Sequence, residues 1–192
     1  MNKLILVGGG GHCKSCIDVV EQACEYEITG VLDVPEKVGQ KILGYEIIGS
    51  DDDIEKYAKQ DVYFLISVGQ IESADLRKKL FEKVIKAGGK LATVISPRAY
   101  VSKYSKIGEG TIVMHDALVN AGAEIGKNCI LNTKCLVEHD CVVEDNVHIA
   151  VGAVLSGGVK VSAESFIGAN STVVQYKEIA PISFIKAGTL FK

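Results

Sequence analysis

Aliphatic residues recur at every sixth position through the second half of the chain. From Val101 to Ile185 each of these residues is Val, Ile or Leu, and a residue four positions later is small in every case but Lys177. The aliphatic row comprises Val101, Ile107, Val113, Val119, Ile125, Leu131, Val137, Val143, Ile149, Leu155, Val161, Ile167, Val173, Ile179 and Ile185. A period of six matches neither an α-helix, which repeats about every 3.6 residues, nor a lone strand, whose side chains simply alternate.

This period predicts a three-sided parallel β-helix, with six residues on each side and eighteen in each coil. We refer to each six-residue unit as a hexad and count its positions from the aliphatic residue. We expect that residue to point into the prism and the small residue to fit the tight corner, over about five coils. Glycine fills the second position in three hexads, where we expect turns with unusual backbone angles; these are Gly108, Gly126 and Gly168.

The first half of the chain instead alternates between strand-like and helix-like patterns. The predicted strands are residues 3–7, 27–32, 47–48, 62–68 and 91–95, and the predicted helices are residues 14–26, 51–57 and 73–87. We expect the three aspartates at 51–53 to cap the middle helix. The pattern predicts a small α/β domain with a mostly parallel sheet over residues 1–96, followed by the β-helix domain over residues 97–192. Ser96-Pro97 marks the join.

Composition narrows the possible partners and location. The 192 residues carry a net charge of −3 and no basic tract, which argues against nucleic-acid binding. No apolar run approaches the length of a membrane span, so none is expected. The N-terminus enters a strand directly and has no signal-peptide pattern. We therefore expect a cytoplasmic protein whose six cysteines are reduced thiols.

A glycine-rich loop, Gly8-Gly9-Gly10-Gly11-His12, follows the first predicted strand. With Asp33 about twenty residues further on it partly matches a dinucleotide fingerprint, but Cys13 replaces the third glycine and the α/β region is half the usual size. A second interpretation is anion binding, because backbone N–H groups at a helix N-terminus attract phosphates. A third is a tight turn without a ligand. Asp33 ends a strand at the sheet edge where such domains bind ligands.

Two cysteine patterns resemble functional sites. Cys13 and Cys16 form a CxxC motif beside a strand-helix unit, but the Trp and Pro surroundings of thioredoxin-like proteins are missing, which argues against a redox role. Cys129, Cys135 and Cys141 have a ligand-like spacing, yet all three occupy the small-residue row. We expect them to be buried packing residues, and no metal site is predicted.

The histidines carry more chemical information. His139 lies at the third position of its hexad, near a corner, where a side chain points outward. Asp140 is adjacent and can polarise the imidazole, and Gly157 lies one coil later, so it should stack beside His139 and leave room for a ligand. His148 lies nine residues on and is a candidate for the same site. His115 shares the hexad position but falls on another side, where we expect a surface residue.

Together these motifs resemble the NeuD/PglD-type sugar acetyltransferases, which are hexapeptide-repeat acyltransferases. The resemblance covers essentially the whole chain. It rests on the glycine loop ending in His12, the strand ending in Asp33, Gly69, Arg77, Asn132-Thr133, Glu138-His139-Asp140-Cys141, His148 and Gly157. It implies that the β-helix is left-handed, an exception to the usual right-handed crossover.

The resemblance also implies roles for individual residues. His139 would be the general base, and Asp140 would tune it. Asn132 and His148 would line the acetyl pocket. Acetyl-CoA would contact mainly the backbone of Gly157, Ala169 and Ala187, and the nucleotide sugar would bind to Gly10, Gly11, His12, Asp33 and Gly69.

The implied activity is acetyl-CoA-dependent N-acetylation of a nucleotide-activated amino sugar, of the 4-amino-4,6-dideoxy type, by a homotrimer. Acetyl-CoA is the cosubstrate and no metal is needed, because a thioester is already activated. One alternative is O-acetylation of sialic acid or a related sugar. Another is a non-catalytic scaffold that binds nucleotide sugars. Val34 stands where family members often carry a second Asp, which leaves the nucleotide open.

Overall fold

The structure, a computed structural model, describes residues 1–192. The chain divides into two compact units. The first comprises Met1–Gly69 and Asp75–Val94, and the second comprises Gln70–Ala74 and Ile95–Lys192. The short segment Gln70–Ala74 thus belongs with the C-terminal region, although it precedes that region in sequence.

The first unit is a six-stranded sheet with three helices. Its strands are β1 (Asn2–Val7), β2 (Tyr26–Asp33), β3 (Lys41–Ile42), β4 (Tyr45–Ser50), β5 (Val62–Ile66) and β6 (Lys90–Leu91). Its helices are α1 (Gly11–Ala23), α2 (Ile54–Ala58) and α3 (Asp75–Lys86). The strand order is β3-β4-β2-β1-β5-β6, and only the β3–β4 pair is antiparallel. The predicted α/β class with a mostly parallel sheet is confirmed.

The packing of this unit follows from its apolar strands. Leu4 and Leu6 on β1 and Phe64 on β5 are fully buried, as expected for a parallel sheet covered on both faces. Helix α1 begins at Gly11, earlier than predicted, because Gly10 is still extended. It ends where Cys24 adopts a left-handed conformation at φ 54°.

Three local details of this unit differ from what the sequence predicts. The three aspartates form a 3₁₀ turn, Asp51–Asp53, whose N-cap is Ser50 in a capping box with Asp53, and only Asp53 is the N-cap residue of α2. The predicted strand 91–95 splits into β6, which joins the sheet, and Val94–Ile95, which joins the β-helix. The hairpin strand β3 was not predicted, because a two-residue strand is too short to show a hydrophobic period.

The second unit is a left-handed parallel β-helix. Its strands fall into three parallel sheets of six, six and five strands, which is five complete coils and two strands of a sixth. Each strand pairs with the strand eighteen residues away, as Val137 does with Leu155. In chain order, β7 to β23 are Val94–Ile95, Tyr100–Val101, Lys106–Ile107, Ile112–Val113, Leu118–Val119, Glu124–Ile125, Ile130–Leu131, Leu136–Val137, Val142–Val143, His148–Ile149, Val154–Leu155, Lys160–Val161, Phe166–Ile167, Thr172–Val173, Glu178–Ile179, Phe184–Ile185 and Leu190–Phe191.

The aliphatic row forms the core of this prism, as predicted. Its members from Val113 to Ile179 are buried, and Val101, Ile107 and Ile185 pack against them at the two ends. The small-residue row is buried beside the core through the central coils, whereas Lys177 is exposed. Removing this much apolar surface from water is the main source of the solenoid's stability.

The turns use a different hexad position from the one expected. Every fourth-position residue from Gly110 to Gly188 has a positive φ, and nine of them are not glycine. The second-position glycines have ordinary φ values and serve close packing instead. A Cβ built on Gly168 would lie 2.5 Å from the backbone nitrogen of Ala187 in the next coil.

The cysteines of the β-helix are buried packing residues, as predicted. Cys129, Cys135 and Cys141 are almost completely inaccessible to solvent. Burial raises the pKa of Cys135 to about 12 and also raises the pKa of Cys141. Cys13 of the CxxC motif is buried too, and desolvation raises its pKa to about 11. Cys13, Cys135 and Cys141 are therefore protonated and unreactive at neutral pH, and Cys129 is shielded from reagents by its burial.

The helices of the first unit are all too short or too polar to cross a bilayer.

Candidate active site

The corner between β14 and β15 carries His139 and Asp140. Asp140 occupies the fourth position of its hexad and has φ 58°, a conformation that Asp and Asn tolerate better than most residues. Its carboxylate lies 2.9 Å from Nδ1 of His139. About half of the His139 side chain is exposed, so the ring is open to a ligand.

This contact fixes the proton position on the neutral imidazole. A carboxylate only accepts hydrogen bonds, so Nδ1 carries the hydrogen and donates it to Asp140. The lone pair is then on Nε2. A Cβ built on Gly157 would lie 2.5 Å from Nε2, so only glycine fits beside this atom. The stacking of Gly157 against His139 that the eighteen-residue coil predicted is present.

Two residues that hold the His139 backbone, Glu138 and Asn120, were assigned no role from the sequence. Glu138 accepts a hydrogen bond from the His139 N–H at 3.2 Å through Oε2. The same oxygen accepts a hydrogen bond from Nδ2 of Asn120 at 2.7 Å. Asn120 lies one coil before Glu138, so the period of eighteen contained the signal for this pair.

Several backbone N–H groups at the third hexad position point to acceptors within the chain. Ala121 and Thr133 donate to the side chain of the preceding asparagine. The N–H groups of Gly157, Ala169 and Ala187 have no acceptor in the chain. Ala169 and Ala187 lie one coil apart on one corner, and Gly157 lies on the His139 corner. These donors are therefore available to an external ligand.

Asn132 and His148 meet at another corner, after β13. Nδ2 of Asn132 lies 3.0 Å from Nε2 of His148, and Oδ1 of Asn132 accepts the N–H of Thr133. His148 is only 6% exposed and packs edge-on against Phe166, with 5.1 Å between ring centroids. His148 is thus a buried ring rather than an open base.

His115 was expected to be a surface residue, and this prediction was wrong. Its ring is half-buried, and Nδ1 is hydrogen-bonded to the hydroxyl of Ser96 at 2.6 Å. Ser96 is buried at the start of the β-helix. The hexad position alone could not show this, because the partner comes from the segment that leads into the first coil.

The first unit brings together the residues predicted to bind the sugar nucleotide. Helix α1 has Gly10 as its N-cap, with no side-chain cap and no acidic residue in the first turn. The first turn at Gly11 and His12 thus carries no acidic side chain of its own, which suits an anion. Gly69 follows β5 and neighbours His12, since a Cβ there would lie 3.5 Å from the His12 Cβ.

Asp33 lies at the end of β2, beside the glycine loop. Its Oδ2 is 2.8 Å from Nζ of Lys37, and its Oδ1 accepts the N–H of Val34. A Cβ built on Gly9 would lie 2.7 Å from Asp33 Oδ2, so a larger residue there would displace the Asp33 carboxylate. Lys37 was not predicted as a neighbour of this site.

A cleft opens at this edge of the sheet, where the parallel strands have their carboxyl ends. Its lining residues include Gly8, Asp33 and Val68. Ligands of open α/β sheets bind at such an edge. The site residues predicted in this unit therefore share one sheet edge.

Comparison with known sequences finds one family model and a sugar acetyltransferase among the relatives. Residues 3–84 match the family model of the PglD N-terminal domain. The chain is 34% identical over 117 residues to the UDP-N-acetylbacillosamine N-acetyltransferase of Bacillus subtilis strain 168. That match covers 59% of this chain and 52% of the relative, so the chain spans about half the length of that curated relative.

Solved structures show similarity over nearly the whole chain. A variant of perosamine N-acetyltransferase from Caulobacter crescentus, in complex with CoA and GDP-perosamine, superimposes with a TM-score of 0.91 and 29% identity, covering 98% of this chain and 87% of that one. The acetyltransferase domain of PglB from Neisseria gonorrhoeae FA1090 superimposes with a TM-score of 0.75 and 28% identity, covering 98% and 95%.

Proposed function

We propose, because this chain belongs to the NeuD/PglD-type family of sugar acetyltransferases, that it transfers the acetyl group of acetyl-CoA to the amino group of a nucleotide-activated amino sugar. The observation that carries the proposal is the His139 corner, where the Nε2 lone pair faces the glycine at 157. Solved relatives that bind CoA and GDP-perosamine support this substrate class. We assign the acceptor to the 4-amino-4,6-dideoxy sugars.

The reaction needs a base for the attacking amine. The sugar nitrogen attacks the thioester carbonyl carbon, and Nε2 of His139 takes a proton from that nitrogen. Asp140 holds the ring so that Nε2 remains the acceptor and stabilises the imidazolium that forms. The tetrahedral intermediate then collapses, the carbon–sulfur bond breaks, and the imidazolium returns its proton to the departing thiolate of CoA.

The developing oxyanion needs a hydrogen-bond donor. The N–H of Gly157 lies on the same corner as the base and has no acceptor within the chain. A preorganised donor of this kind typically contributes about 10² to 10³ to the rate. Because the donor is backbone, it survives side-chain substitution but not displacement of the turn.

We assign the acetyl-CoA side of the site to the β-helix unit. Asn132 and His148 form the acetyl pocket, the N–H of Gly157 faces the acetyl carbonyl, and the uncommitted N–H groups of Ala169 and Ala187 are donors for the carbonyls of the pantetheine arm. Backbone donors one coil apart on the same corner suit an extended amide-containing arm better than a compact ligand. No group of three or more His, Cys, Asp or Glu side chains is placed to hold a metal ion.

We assign the sugar nucleotide to the first unit, with its phosphates at Gly10, Gly11 and His12 and its nucleoside near Asp33 and Gly69. Asp33→Asn tests this division of ligands, since it keeps the shape of the side chain and removes its charge. We expect the KM for the sugar nucleotide to rise roughly tenfold or more, with the KM for acetyl-CoA nearly unchanged. Lys37→Met, which removes the partner of Asp33, serves as the matched control for loss of the ion pair alone. Equal changes in both KM values would contradict the division.

We further propose that the enzyme is a cytoplasmic homotrimer that supplies an acetamido sugar nucleotide for polysaccharide biosynthesis. Acetyl-CoA and sugar nucleotides are both cytoplasmic metabolites. The His139 and Asn132 groups lie on different corners of the prism, and neighbouring copies would bring unlike corners together. Sedimentation equilibrium should give three times the subunit mass, and a mass near one subunit would contradict the trimer.

The decisive experiment measures thiol release from acetyl-CoA with UDP-, dTDP- and GDP-linked 4-amino sugars. One member of the panel should give rapid release and an acetylated product that resists hydroxylamine, as an amide does. A product cleaved by hydroxylamine would be an ester and would establish the O-acetyltransferase alternative. Tight binding of a sugar nucleotide without thiol release from any acceptor would establish the non-catalytic scaffold.

A further inference from the structure

A buried glutamine outside the hexads is anchored on the β-helix. Gln70 is 2% exposed and belongs to the same compact unit as the coils. Its Nε2 donates to the main-chain oxygens of Asn146 at 2.9 Å and Ser165 at 3.3 Å. Two carbonyls of successive coils therefore hold one amide, which fixes the backbone of Gln70 against the solenoid.

The main-chain carbonyl of Gln70 meets the ring of His148. The contact joins this oxygen to Nδ1 at 2.5 Å. A carbonyl only accepts, so Nδ1 of His148 must carry the hydrogen. Nε2 is then the acceptor for Nδ2 of Asn132, 3.0 Å away. The ring is neutral and is held in one tautomer from both sides.

The same chain of hydrogen bonds orients the amide of Asn132. Its Oδ1 accepts the N–H of Thr133 at 2.8 Å, and one Nδ2 hydrogen goes to His148. Turning the amide over would set Oδ1 against the Nε2 lone pair and NH₂ against the N–H of Thr133, which removes both hydrogen bonds. The second Nδ2 hydrogen is left as a donor of fixed direction.

We infer that Gln70 is a positioning residue for the acetyl pocket, acting through His148 to aim the Asn132 amide at the acetyl group. The inference rests on the proposed function, which is what places Asn132 in that pocket. Gln70 itself touches neither substrate. Its side chain anchors the carbonyl that sets the His148 tautomer, and that tautomer sets the direction of the donor.

The test substitutes Gln70→Met, which keeps the length of the side chain and removes both donated hydrogen bonds. We expect kcat to fall roughly 10- to 100-fold, as for a misaligned reacting group, with the KM for the sugar nucleotide unchanged. Gln40→Met is the matched control, because that amide also donates to a main-chain carbonyl, that of Glu36, in the other unit. The control should keep wild-type kcat.

A spectroscopic measurement separates positioning from mere stability. Nitrogen-15 NMR of the His148 ring should show Nδ1 protonated and Nε2 bare in the wild type, with a mixture of tautomers in Gln70→Met. On an Asn132→Ala background, Gln70→Met should add little further loss, because the two residues act through one chain.

The inference is overturned if the wild-type ring is protonated on Nε2, a result that does not depend on any variant folding. It is also overturned if Gln70→Met keeps both the wild-type kcat and the wild-type ring signals. If no amino sugar releases CoA thiol, the proposed function fails on its own, and the ring signals still decide whether Gln70 sets the tautomer.

Discussion

His139 and His148 lie nine residues apart, in neighbouring hexads of one solenoid, and share one tautomer, with the hydrogen on Nδ1 in both. Their surroundings differ in every other respect. About half of the His139 side chain is exposed and its Nε2 faces a glycine, whereas His148 is buried and its Nε2 is engaged by Asn132. The hydrogen on Nδ1 is accepted by a carboxylate in the first case and by a main-chain carbonyl in the second.

The comparison shows that what Nε2 faces decides what each ring can do. An imidazole that donates from Nδ1 to a carboxylate and has its Nε2 open to a ligand can accept and return a proton. An imidazole whose two nitrogens are both hydrogen-bonded inside the protein can only transmit orientation. The same residue type, repeated along one regular fold, therefore provides a base at one corner and a fixed support at another.

The largest effect is expected from removing the exposed imidazole, that of His139. His139→Ala should lower kcat by roughly 10² to 10⁴, the range of a general base, while acetyl-CoA affinity stays nearly constant. Steady-state kinetics and calorimetric titration with CoA measure the two quantities. His148→Ala is the paired variant and should lose less activity. If His139→Ala turned over like the wild type, the base would have to be sought elsewhere.

The next largest effect is expected for Gly157→Ala, which should lower kcat/KM roughly 10²-fold, as expected for a reacting group displaced by about an ångström. The added methyl would collide with the His139 ring, and the ring must swing away from its working position. Ala163→Val adds bulk at the same hexad position on a corner without a histidine and should keep full activity. Unchanged kinetics in Gly157→Ala would mean that the His139 ring does not act as the base from the position that it occupies in the structure.

Asp140 separates the chemical role of the residue from its backbone role. Asp140→Asn should cost about tenfold in kcat, because the amide oxygen still accepts the Nδ1 hydrogen but carries no charge to stabilise imidazolium. Its thermal stability should match the wild type, since Asn also tolerates the positive φ. Asp140→Ala should in addition lose about 1 kcal/mol of unfolding free energy from strain in the left-handed region. Equal thermal unfolding of the two variants would show that the turn is not strained by alanine.

The smallest effect on activity is expected from thiol modification, which distinguishes the exposed Cys24 from the buried cysteines of the β-helix. A thiol reagent at neutral pH should label exposed Cys24 quickly and leave turnover unchanged. Cys135 should react only on unfolding, because burial raises its pKa to about 12 and thiolate is scarce at any lower pH. Mass spectrometry after brief labelling gives the sites, and rapid labelling of Cys129, Cys135 and Cys141 would mean that the small-residue row faces solvent.

The solenoid was predictable because its signal is repeated. Fifteen aliphatic positions in one register define the eighteen-residue coil, and this coil length then pairs His139 with Gly157, because the two residues are one coil apart. The left-handed turns at the fourth position were also within reach, since most of those residues are Gly, Asn or Asp. The glycines at the second position pointed to the wrong turn position, because glycine is also favoured where two backbones pack closely.

The position of Gln70 could not be predicted in the same way. A single glutamine in a loop carries no period, and its partners are main-chain carbonyls, which every residue possesses. The Ser96–His115 contact was hidden for a similar reason. Local pattern therefore predicts repeated elements well, and contacts made once by a tertiary fold remain invisible to it.

The constant eighteen-residue coil has a consequence for how such a chain tolerates changes of length. Six extra residues between His139 and Gly157 would leave every aliphatic side chain in phase with the core, yet would carry the glycine a third of a turn around the prism, away from the imidazole. Eighteen extra residues would restore the angle but insert a whole layer between the two. The fold therefore tolerates insertion of any whole number of hexads, whereas the reaction at this corner tolerates none. The length of the segment between His139 and Gly157 is thus set by the reaction and not by the fold.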